Sequence, residues 1–283
     1  MVLIAAILWG SNGIFVKLLA SSGLNSLERS SIRLIIAAIL ETIIVYLSDR
    51  KSFIIEKKDL FSAALIGIIG IFGFLCSYNQ SINLVGMATA GVLIYLMPSI
   101  VMIYSCIFNG QKLTANKMLV LILNLIGCGL VSGILSDQSG NILGIVIGLF
   151  AAFCYAFNNI GVATALKKYS PLTKMYYPAL FAGICGLLYL LIGSDITKIG
   201  TILISDPKLI LICLVWTICC SILTYYLFNS ALSYLDVSRA SLLSTFEPVA
   251  AVIFGVVLFH EQIDVFGIIG IIMVFVSLVL NEL

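Results

Sequence analysis

The chain has 283 residues, 61% of them hydrophobic and only 10% charged, with a mean hydropathy of +1.19. A soluble domain carries about 25% charged residues, so this composition excludes one and indicates a polytopic membrane protein. A net charge of +2 makes no case for a nucleic-acid partner.

Polar punctuation divides the chain into ten predicted spans, roughly 2–20, 27–47, 60–80, 86–108, 116–135, 141–162, 172–193, 208–231, 238–259 and 264–281. Each is about the length of one helix crossing a hydrocarbon core of ~30 Å, and in lipid a helix satisfies its own backbone. A transmembrane barrel would show short alternating strands instead. The first run, Val2 to Ala20, carries Lys17 near its end and leads directly into the next helix. It is expected to be a retained first span with no cleavable signal.

Taken in order, the first span holds Trp9 and Asn12, three residues apart and so on one helix face. The second holds Arg33 and Glu41. Arg33 lies about six residues inside its span, where its long stem is expected to snorkel to the interface. Glu41, eight residues on and ~80° around the helix, has no evident partner. Span three combines a string of Gly67, Gly70 and Gly73, read as close helix packing, with Asn79 and Asn83. Span four holds Tyr95 and Pro98, span six repeats the aromatic and amide spacing as Tyr155 and Asn158, and span eight carries Tyr225, Tyr226 and Asn229.

Span nine contains STFEPVAAVIFG, in which Glu247 lies nine residues from one end of the apolar run and twelve from the other. An ionisable group at such depth costs ~3 kcal/mol on insertion scales, which makes it a functional candidate. Pro248, like Pro98, removes a backbone donor and is expected to kink its helix. His260, Glu261 and Asp264 follow in the turn before span ten, where surface hydrogen bonding or gating is expected and no metal site is indicated. All eight cysteines fall in apolar runs without CxxC spacing and read as small packing residues.

Basic residues segregate between alternate loops. Arg50, Lys51, Lys57, Lys58, Lys112, Lys117, Lys167, Lys168, Lys174 and Arg239 gather on one side, against Arg29, Lys198 and Lys208 on the other. The bias predicts a multi-pass protein of the plasma (cell inner) membrane with both termini in the cytoplasm.

Sliding the chain along itself aligns FNSALSYLDVSRASLLSTFEP (228–248) without gaps on YNQSINLVGMATAGVLIYLMP (78–98). Asn79 meets Asn229 and Pro98 meets Pro248. The expectation is an all-α membrane fold of ten transmembrane helices in two inverted five-helix repeats, residues 1–135 and 141–283. Five spans per half force the second copy to insert upside down, an architecture recurrent among secondary transporters with substrate sites near the midplane.

These features, with LWGSNGIFVK (8–17), Arg33 in SSIRLIIAAIL and above all LLSTFEPVAAVIFGVVLFHEQI (242–263), resemble the EamA-type transporters of the drug/metabolite superfamily over the whole chain. One departure is Gln111 in NGQKL, where the family often has a glutamate like Glu261. The resemblance implies a central cavity surrounded by spans one, three, four, six, eight and nine.

The predicted substrate-binding set is Trp9, Asn12, Asn79, Asn83, Tyr95, Tyr155, Asn158, Tyr225, Asn229 and Glu247, with Glu247 also as coupling residue. Amides exchange hydrogen bonds with a solute, and aromatic faces attract ammonium groups. The alternative for the amides is interhelical glue. The function expected is alternating-access transport of a small metabolite, an amino acid or related amphipathic solute, most simply as export. Uptake of a cationic nutrient such as a quaternary amine is the alternative, and a non-transporting scaffold the alternative from another class. Neither HExxH nor GxSxG is present, which argues against an enzyme, and there is no GxxxxGK[ST] loop for ATP. No cofactor is expected; the partners are a small solute, membrane lipid and, through Glu247, a coupled proton.

Overall fold

The structure is a computed structural model that describes residues 1–108, 114–131, 141–231 and 246–282. These residues are almost entirely helical. In chain order the helices are α1 (Val2–Gly10), α2 (Asn12–Leu18), α3 (Ser26–Ser48), α4 (Lys57–Val85), α5 (Met87–Phe108), α6 (Ala115–Val131), α7 (Ile142–Thr164), α8 (Pro171–Gly193) and α9 (Ile196–Ser205). They are followed by α10, which runs as Lys208–Thr217, Ile218–Leu223 and Thr224–Ala231, then α11 (Phe246–Phe259) and α12 (Val265–Glu282). Among the described residues six helices are long and apolar enough to cross a membrane: α3, α4, α5, α7, α8 and α10. Shorter apolar helices accompany them. Their surface is lipid-like, with Ile192 83% exposed and Ile204 81% exposed.

Local sequence explains where helices begin. Asn25 and Glu28 form a capping box at α3: the Glu28 amide donates to Asn25 Oδ1 (2.9 Å) and the Asn25 amide to Glu28 Oε2 (2.7 Å). At α8, Ser170 accepts from the Thr173 amide and Pro171 occupies the first turn, where no amide is needed. Asn141 caps α7 in the same way through the Gly144 amide.

Three features depart from ten plain spans. The first run is interrupted at Ser11, which separates α1 from α2 and whose hydroxyl donates to the Leu8 carbonyl at 2.7 Å. Within α4 and α10 the ladder widens into π-helical turns at Ile66–Gly73 and Ile218–Leu223. The connection between α8 and α10 folds into the short helix α9, with Ile199 buried beneath it.

Packing is dominated by three helix pairs: α6 against α12, α3 against α8, and α4 against α7. The glycine string lies on the last of these and on α8. A Cβ at Gly70 would stand 2.8 Å from the Asn158 Cβ, and one at Gly67 would stand 2.4 Å from the Pro178 carbonyl oxygen. Only a hydrogen fits there, as the close-packing expectation requires. Pro98 and Pro248 lie within α5 and in the first described turn of α11. A kink at Pro248 would involve the preceding residues 232–245, which lie outside the described residues, as does Gln111.

Candidate functional site

A cavity of about 610 Å³ opens between α1, α3, α4, α7, α8, α10 and α11. A volume of ~300–1,000 Å³ is what small-molecule sites enclose. Of the predicted set, Trp9, Asn12, Tyr155, Asn158, Tyr225 and Glu247 line it. Asn79 and Tyr95 stand behind the wall, Asn83 is exposed away from it, and the Asn229 side chain lies outside the described residues.

Asn12 organises the polar end. Its Oδ1 accepts from Arg33 Nη1 (2.7 Å) and from the Trp216 indole N–H (2.9 Å), while its Nδ2 donates to Asn79 Oδ1 (3.1 Å). Asn79 Nδ2 continues the chain to Ser30 Oγ at 3.0 Å. Both amides are therefore engaged between helices, and Asn79 acts as the glue its alternative reading described.

Arg33 corrects an expectation. It does not snorkel to the interface: it is 3% exposed, lines the cavity, and donates through Nη2 to Ser221 Oγ (2.9 Å) and the Cys220 carbonyl (3.3 Å). Its guanidinium lies 4.5 Å from the Trp216 ring centre. Counting residues from the end of α3 placed the charge near lipid headgroups. Helix α10 and the broken α1–α2 segment supply polar partners at that depth and make burial favourable.

On the opposite wall Tyr95 donates its hydroxyl to Glu247 Oε2 at 2.9 Å. The carboxylate thus has a fixed neutral partner on α5 and still faces the cavity. Glu41 also lines the cavity and is 3% exposed. Aromatic rings fill the space between these groups. Trp9 meets Tyr225 edge-on at 5.7 Å and tilts against Phe228 at 5.5 Å, and Phe74 stacks on Tyr155 at 4.7 Å. Sequence reasoning passed over Phe74, Tyr78, Asn159 and Ser221, which share the lining. The FNN doublet at 157–159 was the available signal for Asn159.

The two ends of the cavity differ. One reaches Pro171 and Lys174 at the start of α8. Beyond Asn12 the other end is filled: Phe15 stacks on Trp216 at 6.2 Å, and a Cβ at Gly13 would meet Met87 at 2.4 Å. A tie lies above this plug. Glu261 accepts from the Met87 amide through Oε1 (2.7 Å) and from the Ala88 amide through Oε2 (2.9 Å), and pairs with Lys17 Nζ at 3.4 Å. One carboxylate so joins α2, α5 and the turn after α11. Gly86 enables it, since its φ of +85° turns the chain from α4 into α5 and a Cβ there would press on the carboxylate at 3.1 Å.

Near the mouth, Lys168 pairs with Glu56 and with Asp59 (2.8 Å), and Tyr169 donates to Asp59 at 2.7 Å. Their hydrogen bonds to Lys168 hold both carboxyls below their ordinary range and raise the Lys168 ammonium. Among the described residues no group of three or more His, Cys, Asp and Glu is placed to hold a metal ion.

The family description of EamA-like transporters matches residues 1–133 and again 142–283. The chain belongs to the EamA-like transporter family. Its EamA relatives include the uncharacterized inner membrane transporter YicL of Salmonella typhimurium, 24% identical over 288 residues, covering all of this chain and 94% of the relative. An uncharacterized transporter of Archaeoglobus fulgidus is 27% identical over 73% of this chain and 71% of its own length. YoaV of Bacillus subtilis, also named an uncharacterized transporter, is 22% identical over 97% of this chain and 93% of the relative. A solved crystal structure superposes with a TM-score of 0.65 over 99% of this chain and 94% of its own, at 14% identity, which establishes a shared fold. EamA membership and the run of apolar helices make this a multi-pass membrane transporter.

Proposed function

We propose that this protein is a ten-helix secondary transporter of the cell inner membrane, built from two inverted five-helix repeats at 1–135 and 141–283, with both termini in the cytoplasm. It moves a small amphipathic metabolite, an amino acid or related amine, by alternating access, and most simply exports it. The observation that carries this reading is a cavity of about 610 Å³ among apolar helices, lined by Trp9, Asn12, Arg33, Tyr155, Asn158 and Glu247. A scaffold has no use for buried polar groups around empty space, since each is costly in lipid.

The repeat reading gains support from the π-helical turns. The turn in α4 ends at Gly73, six residues before Asn79, and the turn in α10 ends at Leu223, six before Asn229. With the termini inside, Lys174 marks a cytoplasmic mouth and the Lys17–Glu261 tie closes the outer end. Breaking that tie is then part of the outward-opening step, and Glu247 is the carboxylate whose charge changes during the cycle. The reaction has no covalent step and needs no cofactor.

The test is counterflow in liposomes holding the purified chain. Labelled pools of amino acids, amines and nucleosides are offered with gradients in each direction. Accumulation of one pool by the wild type, with loss of rate and of its pH dependence in Glu247→Gln, is expected. Absence of flux for every pool in a folded preparation refutes transport of these classes, and unchanged kinetics in the variant remove Glu247 from the mechanism.

A further inference from the structure

Glu41 takes no part in the contacts described so far. It is 3% exposed, its Oε2 has no hydrogen-bond partner, and it makes no ion pair among the described residues. Yet it sits on the cavity wall. A carboxylate removed from water needs a partner, and its neighbours do not provide one. Arg33, on the same helix, is eight residues away, ~12 Å along the axis. Its guanidinium is already engaged by Asn12, Ser221, the Cys220 carbonyl and the Trp216 ring. The other cation on the wall, Lys174, forms no ion pair with Glu41 either.

The surroundings narrow what the missing partner is. A hard metal ion asks for six or more oxygen ligands, and no cluster of acidic groups converges here. The same wall instead carries Trp9, Tyr225 and Phe228 in mutual contact, and Phe74 stacked on Tyr155. Tyr225 lies within electrostatic reach of Glu41 and Glu247 alike. A single carboxylate among aromatic faces is the combination that holds an organic ammonium, the charge meeting the carboxylate and the hydrocarbon meeting the rings.

We infer that Glu41 is a cation subsite of the cavity, receiving the ammonium group of an amine-bearing solute. This rests on the transport reading above and adds to it the group that orients the solute. It assigns the two cavity carboxylates different tasks, because Glu247 already has the Tyr95 hydroxyl as partner and Glu41 has none.

Binding of 2-phenylethylammonium is to be compared with that of its uncharged analogue 2-phenylethanol, using the full chain in phosphatidylglycerol nanodiscs, whose headgroups contain no ammonium. The wild type is expected to prefer the ammonium at least tenfold, and Glu41→Gln to bring the two within twofold, with Glu41→Asp retaining part of the preference. A second measurement needs no variant. Labelling of Glu41 by dicyclohexylcarbodiimide, read by peptide mass mapping, should be blocked by phenylethylammonium and not by phenylethanol. No ammonium preference in the wild type, a preference that survives in folded Glu41→Gln, or equal protection by both compounds would overturn the inference. Counterflow of a solute without ammonium preference sinks this subsite alone, whereas ammonium binding without any flux sinks the transport reading and leaves the subsite standing.

Discussion

Replacing Glu261 by glutamine perturbs one carboxylate that does three things at once. Both its oxygens accept backbone amides, from Met87 at 2.7 Å and Ala88 at 2.9 Å, and Oε1 also faces Lys17. The two amides belong to the first turn of α5, where no carbonyl of the helix itself can reach them. Glutamine has one acceptor oxygen, so one amide loses its partner and the other keeps an uncharged one. Hydrogen bonds to charged groups contribute ~1.5–3 kcal/mol each, and a partly exposed ion pair up to ~1 kcal/mol. Allowing for water reaching the freed amide, we expect a net loss of ~2 kcal/mol in the closed state, a factor of ~30 in local opening. Hydrogen–deuterium exchange on a peptide spanning Met87 and Ala88 reads this directly, because those amides have no other protection. The expected result is exchange ~30-fold faster at both amides in Glu261→Gln and only two- to fivefold faster in Lys17→Met, which removes the exposed ion pair alone. If exchange in Glu261→Gln changes less than threefold while the rest of α5 stays protected, the carboxylate does not hold this end shut.

Three further outcomes follow from the same geometry. Asn12→Ala strands the Trp216 indole N–H and removes a partner each from Arg33 and Asn79, so unfolding in detergent should be easier by ~3 kcal/mol; a loss below ~1 kcal/mol would refute the hub. Gly70→Ala forces α4 and α7 apart at a 2.8 Å approach and should cost ~1–3 kcal/mol in a thermal melt, whereas Gly129→Ala, with no described atom within 4 Å, should be nearly silent. At the mouth, Glu56 and Asp59 have lowered folded pKa values, so their contribution is complete above their ordinary values of 4.5 and 3.8 and is lost as pH falls through the depressed ones. Acidification from pH 6 to below 4 should therefore expose the segment around Glu56 to protease in the wild type, and Lys168→Met should show that exposure already at pH 6.

Much of the fold could be read from composition, because lipid imposes length and apolarity on every spanning helix and these survive in single stretches of sequence. Capping at Asn25 and Ser170 is similarly local. The cavity was only partly legible. Trp9, Asn12, Tyr155 and Asn158 stood out because their spacing put each pair on one helix face, and all four line it. Asn79 and Tyr95 have the same chemistry but spend it on neighbours, Asn79 on Ser30 and Asn12 and Tyr95 on Glu247, which spacing within one helix cannot reveal. Arg33 was misplaced for a related reason. Depth along α3 is visible in sequence, whereas the polar atoms of Asn12, Cys220 and Ser221 that receive the guanidinium come from segments 21 and more residues away. The tie at Glu261 spans 174 residues to the Met87 amide, and nothing in the LFHEQ turn names its acceptor role.

The π-helical turns at Ile66–Gly73 and Ile218–Leu223 have a consequence for how this chain tolerates change. A π turn accommodates one residue more than an α turn, so each behaves as an insertion already absorbed by the helix. Deleting one residue from Ile66–Gly73 would restore ordinary pitch and swing everything after it by ~100° about the axis. Tyr78 would leave the cavity wall and Asn79 would leave Ser30 and Asn12, while the apolar length of α4 stayed almost the same. Such a deletant would still insert and pass any hydropathy criterion, yet its two halves would no longer share a reading frame. In this protein a one-residue indel is a rotation, and only a matching indel in the other half could keep the pair in phase.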